Sequence, residues 1–208
     1  MVGEGVLHEC LLSPDVEKVL VISRKSCAVQ DPKLSEILVK DFFDLTAIQS
    51  LLTDYNVCFF CLGVSSVGMQ KSLYEKMTYD LTLHFARALV NVNPAIQFFY
   101  ISGAGTDSTE KGNVYWARVK GKTENDLQKI GLSKVYLFRP GILEPTKGLK
   151  NTLGFYKWFG WLAPFLNKFF PNSISRLAQL GQAMIRVSIG GYEKNILEVK
   201  DIRAMSNS

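Results

Sequence analysis

Histidine is almost absent from this chain. Only His8 and His84 occur, and neither has ligand-like partners at metal-binding spacing, so no metal site is expected. The four cysteines, Cys10, Cys27, Cys58 and Cys61, show no disulfide framework, which points to a reducing compartment. No apolar run reaches the roughly 18 residues of a membrane span. The most apolar stretch, 153–170, is broken by Lys157, Gly160, Pro164, Asn167 and Lys168. The opening MVGEGVLHEC has no basic stretch followed by an apolar one, so no secretory signal is expected. No biased tract is present. The excess of positive charge is small, +5, and its Lys and Arg are scattered, which argues against a nucleic-acid partner. The expected setting is cytoplasmic, with peripheral membrane association as the alternative, and a monomer or homodimer is expected.

The composition that remains is globular, with 47% apolar and 21% charged residues over 208 positions. That length fits a single domain spanning 1–208. KVLVIS (18–23), EILVKD (36–41), VCFFCLG (57–63), QFFYISG (97–103), VYLFRPG (135–141) and NILEV (195–199) have the length and apolar content of strands. Helical spacing predicts helices over 2–12, 45–52, 72–92, 114–130 and 174–189. Ser13-Pro14 stops the first, and Gly131 follows the fourth at a left-handed cap position. Strands apolar on both faces, alternating with amphipathic helices, predict a parallel sheet covered on both sides. One irregular region, about 143–172, reads as a late insertion. The chain opens directly into a helix, whereas a doubly wound sheet begins with a central strand.

Several motifs sit where such a sheet binds ligands. Gly3 stands at the start of the first helix, where the third glycine of a dinucleotide-binding turn permits close packing beneath a pyrophosphate. About twenty residues on, where an acid would take a ribose 2′-hydroxyl, the sequence has Ser23-Arg24-Lys25. Arg24 and Lys25 suit a 2′-phosphate, which favours NADP, with NAD as the second option. With the absent first strand counted, Asp41 and Phe42 follow the third strand, where an Asp can accept from the adenine amine. Cys61, Leu62 and Gly63 end the fourth strand, and the glycine allows close backbone approach. Cys58 and Cys61 lie three apart on a strand and so point to opposite faces, which argues against a redox pair. Ser102 ends the fifth strand facing the ligand crevice. Downstream, Trp116 and Lys120 share a helix face, with Tyr115 one residue before.

Together these residues resemble the short-chain dehydrogenase/reductase superfamily, and within it the atypical, extended-like branch related to the Tat-interacting protein. The signatures are MVGEG, VISRK, KDFFDL, CFFCLGVSS, YISGAGTDS, WARVKGKTE, LFRPG and QAMIRVSIGGYEKNILEVKDI. The resemblance implies an α/β, Rossmann-type, doubly wound and mostly parallel sheet, lacking its usual first strand and glycine-rich turn in this chain. It implies a bound NAD(P) contacted by Gly3, Arg24, Lys25, Asp41, Phe42, Cys61, Leu62, Gly63, Lys120 and Pro140. It also implies a catalytic set, carried here by Ser102, Tyr115 and Lys120. The superfamily's Tyr stands four residues before its Lys, and that position holds Trp116. Indole donates a hydrogen bond but is no general acid or base near neutral pH.

Two functions follow from these residues. One is an NADP-dependent oxidoreductase or epimerase-like protein acting on a small or lipid-like carbonyl, with Tyr115 or a hydroxyl near Ser102 supplying the proton. The other is a non-catalytic dinucleotide-binding sensor or scaffold, which explains Trp116 directly. The aromatic segment 153–170 reads as a substrate lid, with peripheral membrane contact as its alternative.

Overall fold

A computed structural model describes residues 1–146, 148, 149 and 174–207. The expected lid or membrane-contact segment, 153–170, lies outside the described residues. The chain folds as two compact units. The first comprises Met1–Lys40, Pro140–Tyr192 and Glu198–Ser208, and the second Asp41–Arg139 and Glu193–Leu197.

In the first unit, α1 (Val2–Leu12) runs to Ser13 and is followed by β1 (Val19–Ser23) and β2 (Leu34–Leu38). These strands pair in parallel, from Val19 opposite Leu34 to Ser23 opposite Leu38. The second strand starts two residues earlier than its apolar pattern suggests, because Leu34 N–H already closes a turn onto Asp31 O. β6 (Ile142–Glu144) and β7 (Ile174–Arg176) form another parallel pair. β7 leads straight into α5 (Leu177–Gly190), and α6 (Val199–Asn207) closes the chain. A helix was expected from 174 onward, but its first three residues are a strand because they find a non-local partner in β6. α1 and α5 approach closely at two glycines. A Cβ on Gly5 would meet the Leu177 side chain at 2.3 Å, and one on Gly181 would meet Glu9 at 2.7 Å.

The second unit holds a four-stranded sheet in the order β3 (Val57–Phe60), β4 (Gln97–Ile101), β5 (Lys134–Arg139), β8 (Ile196–Glu198). β3, β4 and β5 run parallel. Side chains alternate across β4. Phe98 and Tyr100 meet Phe60 on one face, and Phe99 meets Phe59, Tyr136 and Phe138 on the other. Phe98 and Phe99 are both fully buried, which is the two-sided burial that parallel strands require. Each such ring pair adds about 0.5–1.5 kcal/mol beyond its buried area.

The helix expected over 72–92 forms as α2 (Lys71–Glu75), a π turn (Lys76–Asp80) and α3 (Leu81–Val92). Tyr79, on the π turn, donates to Asp126 of α4 (Tyr115–Leu127) at 2.8 Å. The helix expected over 45–52 reduces to one 3-10 turn, Gln49–Leu52. Its apolar residues Leu45, Ile48 and Leu52 are buried all the same.

Candidate functional site

The site begins where β4 runs out. Ser102 N–H donates to Phe138 O at 2.9 Å, so the strand pairing carries one residue past Ile101. The Ser102 hydroxyl, 4% exposed, then turns inward and donates to Glu124 Oε1 at 2.5 Å. Glu124 is fully buried on α4 and pairs with Arg139 at the end of β5. Arg139 Nε donates to Glu124 Oε1 at 3.1 Å, and its Nη2 donates to Ser108 Oγ at 2.5 Å. A buried carboxylate is tolerable only with such compensation.

Lys120, one turn before Glu124, donates its ammonium to the carbonyl of Ser102. Desolvation lowers its pKa from 10.5 to about 8, against the opposing pull of Glu124. Two features fix α4 here. Asp107 N–H donates to Ala117 O at 3.1 Å. A Cβ on Gly121 would stand 1.8 Å from Asp107 O, so only glycine lets the loop after β4 rest on the helix. That loop is itself braced. The Asp107 carboxylate accepts from Thr109 and from Gly112 N–H, which holds its pKa below the ordinary carboxylate range.

Tyr115 engages a different set of partners. Its hydroxyl donates to Lys71 O at 2.8 Å and lies 3.2 Å from Glu75 Oε2. Partial burial and the Glu75 carboxylate raise its pKa. Lys71 and Arg118 stand over its ring, at 5.4 and 5.6 Å. Trp116 lies against the Gly103–Gly105 turn, where a Cβ on Gly105 would sit 3.6 Å from Trp116 Cη2. Both aromatics line a cavity of about 220 Å³ with Ser66, Met69, Lys71 and Tyr74.

The structure therefore joins Ser102 and Lys120 directly and gives Tyr115 other partners. Of the remaining expected positions in this unit, Asp41 is exposed and accepts from Phe43 N–H, whereas Phe42 is buried at 6% exposure. Cys61 and Leu62 are half-buried and Gly63 is exposed. A Cβ on Gly63 would meet nothing within 4 Å, so a ligand can approach its backbone freely. In the first unit Gly3 is exposed, and Gly5 is the glycine of α1 that makes a close contact. Arg24 and Lys25 are exposed just past β1, and Pro140 is buried just past β5. Cys58 and Cys61 are not joined by a disulfide. Among the described residues no group of His, Cys, Asp or Glu could hold a metal ion.

Sequence reasoning missed Glu124, Arg139 and Ser108 as parts of the site. A signal was present: Arg139 is a charge at the end of the apolar run VYLF, and a charge entering a core needs a partner.

No family model matches the chain. Among curated proteins it is 27% identical to the mitochondrial protein fmp52 of Emericella nidulans over 150 residues, 69% of this chain and 63% of that protein. It is 24% identical to protein HTATIP2 of Rattus norvegicus over 143 residues, 68% of this chain and 58% of that protein. The chain thus spans a little under two thirds of the curated relatives it matches. Among solved structures it superposes on the Bordetella bronchiseptica enzyme WbmF, in complex with NAD+, with a TM-score of 0.64 at 14% identity, covering 99% of this chain and 74% of that one.

These relatives overturn the expectation of a cytoplasmic protein, because the fungal ones are named as mitochondrial. Compartment is addressed by short receptor-read segments, which composition does not report. The chain shares the Rossmann-type α/β fold of these dehydrogenase and epimerase structures, and by sequence it is similar to the fmp52 proteins and to HTATIP2.

Proposed function

We propose that the chain is a dinucleotide-binding protein that does not use the superfamily's Tyr–Lys proton transfer. NADP is the preferred ligand and NAD the second. Arg24 and Lys25 receive the 2′-phosphate, Asp41 the adenine amine, and Lys120 the nicotinamide-side ribose. Cys61, Leu62 and Gly63 present open backbone to the cofactor, Gly3 lies beneath the pyrophosphate, and Phe42 and Pro140 shape the edges. A bound dinucleotide would supply hydride chemistry; this chain's own residues hold and orient it.

The observation that carries the reading is the fate of the three groups that would move a proton. Trp116 occupies the Tyr position. The Ser102 proton is donated to Glu124. The Tyr115 proton is donated to Lys71 O. Neither hydroxyl proton is donated toward Lys120. The test pairs a calorimetric titration with NADPH against an NADPH oxidation assay over a panel of carbonyls. Saturable binding that Lys120→Ala weakens, without turnover, is the expected result.

A second reading, reductase action on a small or lipid-like carbonyl, is favoured by the 220 Å³ cavity. Tyr115 reaches it beside Met69, Tyr74 and Trp116. Exposed Val67, Leu73 and Val114 follow the same stretches of chain and would suit an acyl substrate. Turnover abolished by Tyr115→Phe would establish this reading over the first. The likeness to fmp52 supports a mitochondrial setting, which cell fractionation tests.

A further inference from the structure

We propose that the first unit carries an oxyanion site for a phosphate monoester at the N-terminus of α5, built from Ser175, Arg176, Gln179 and Arg203. A cavity of about 300 Å³ opens there, lined by these four residues with Glu144 and Ile174. None of the positions assigned to the dinucleotide lines it. Its size is at the lower end of small-ligand clefts, which suits a phosphorylated metabolite rather than a dinucleotide.

Three observations converge on an anion. The first is Ser175. It is 1% exposed and lines the cavity, yet its Oγ has no hydrogen-bond partner among the described residues. A buried hydroxyl left unpaired costs free energy that a ligand oxygen would recover. The second is the start of α5. The residue at its cap position is Arg176, and a guanidinium has no lone pair to offer the first-turn N–H groups. Those donors and the helix dipole favour negative charge. Gln179 Oε1 accepts from Arg176 N–H at 3.0 Å, which fixes this turn. The third is charge. The guanidiniums of Arg176 and Arg203 both line the cavity, and Glu144 is the one carboxylate among its described lining residues. β6 and β7 pair Glu144 opposite Arg176, with Oε2 3.6 Å from Nε. That pair is well exposed, at 74% for Arg176 and 40% for Glu144, so it is screened and open to displacement by a stronger anion.

The test titrates the 208-residue chain, without dinucleotide, with inorganic phosphate and with glycerol phosphate at constant ionic strength. Flotation with phosphatidylcholine vesicles, with and without phosphatidic acid, distinguishes a lipid-borne monoester from a soluble one. Saturable binding to either source is expected. Arg203→Gln should weaken it about tenfold, as loss of one charge-assisted contact implies. Ser175→Ala should weaken it without harming the fold, Glu144→Gln should tighten it, and Lys200→Gln, an exposed charge on α6, should leave it unchanged. If Arg203→Gln fails to fold, Ser175→Ala and Arg176→Gln carry the comparison. Absence of saturable binding to both sources overturns the proposal. So does equal weakening by Lys200→Gln and the cavity variants.

Discussion

Ser102 and Glu124 are joined by a hydroxyl-to-carboxylate hydrogen bond of 2.5 Å, buried between the end of β4 and the middle of α4. The same carboxylate neutralises Arg139, and the carbonyl of Ser102 receives Lys120. One serine thus ties a strand end to two charges on a helix. Its hydroxyl is spent on structure, which leaves its oxygen able only to accept from a ligand.

Glu124→Gln should be among the most damaging single changes in the second unit. It keeps the shape but leaves Arg139 charged and buried, a loss of about 3–5 kcal/mol. Ser102→Ala removes one hydrogen bond to a charged group and should cost less, about 1.5–3 kcal/mol. Chemical denaturation of both variants checks the order. Equal costs would mean that Glu124 is not the hub of the network.

Lys120 makes stability depend on pH with a defined sign. In the unfolded chain its amine keeps a proton up to about the ordinary value of 10.5, and in the folded chain only to about 8. Between these values the unfolded state binds more protons, so stability contributed by this group rises with pH, by up to about 1.4 kcal/mol per unit. Below pH 8 the cost of the desolvated charge is fully present. Lys120→Met should therefore stabilise the chain near neutrality, by about 1–2 kcal/mol after the lost bond to Ser102 is discounted. The advantage of the variant should shrink as pH rises from 8 and reverse before 10.5, because the parent gains about 3 kcal/mol over that range. A difference independent of pH would contradict this account. The same variant should bind NADPH less well.

Two glycines should respond in opposite ways. Gly121→Ala forces a methyl to within 1.8 Å of Asp107 O, so the loop must move, at a cost on the order of 1–3 kcal/mol or more. Gly63→Ala meets no protein atom and should leave the melting temperature unchanged while weakening dinucleotide binding. Thermal melts with and without NADPH separate the two. Undiminished binding in Gly63→Ala would remove that position from the cofactor path.

Much of the architecture was legible because apolar runs and their punctuation are local signals. QFFYIS and VYLFR announce strands buried on both faces, and Ser13-Pro14 marks a helix end, whereas α4 stops at Leu127 and is capped by Gln128 rather than by the expected Gly131. Residues 174–176 were not legible, since three residues become a strand only when β6 lies beside them. α6 went unread because its sequence, VKDIRAMSN, is polar and short. At the site, Lys120 and Ser102 could be paired from their motifs. That Tyr115 turns to Lys71 and Glu75 could not be foreseen, because it depends on where α2 packs against the start of α4. The Glu124–Arg139 pair joins residues fifteen apart on different elements, and charge type alone names no partner.

The most direct test of the central claim is NADPH oxidation by the parent chain and by Trp116→Tyr, with binding measured in parallel. The substitution restores the superfamily's Tyr four residues before Lys120, on the same helix face. The account predicts that both chains bind NADPH, that the parent turns over no carbonyl, and that Trp116→Tyr gains measurable activity. Turnover by the parent that Tyr115→Phe abolishes, with no gain in Trp116→Tyr, would contradict it.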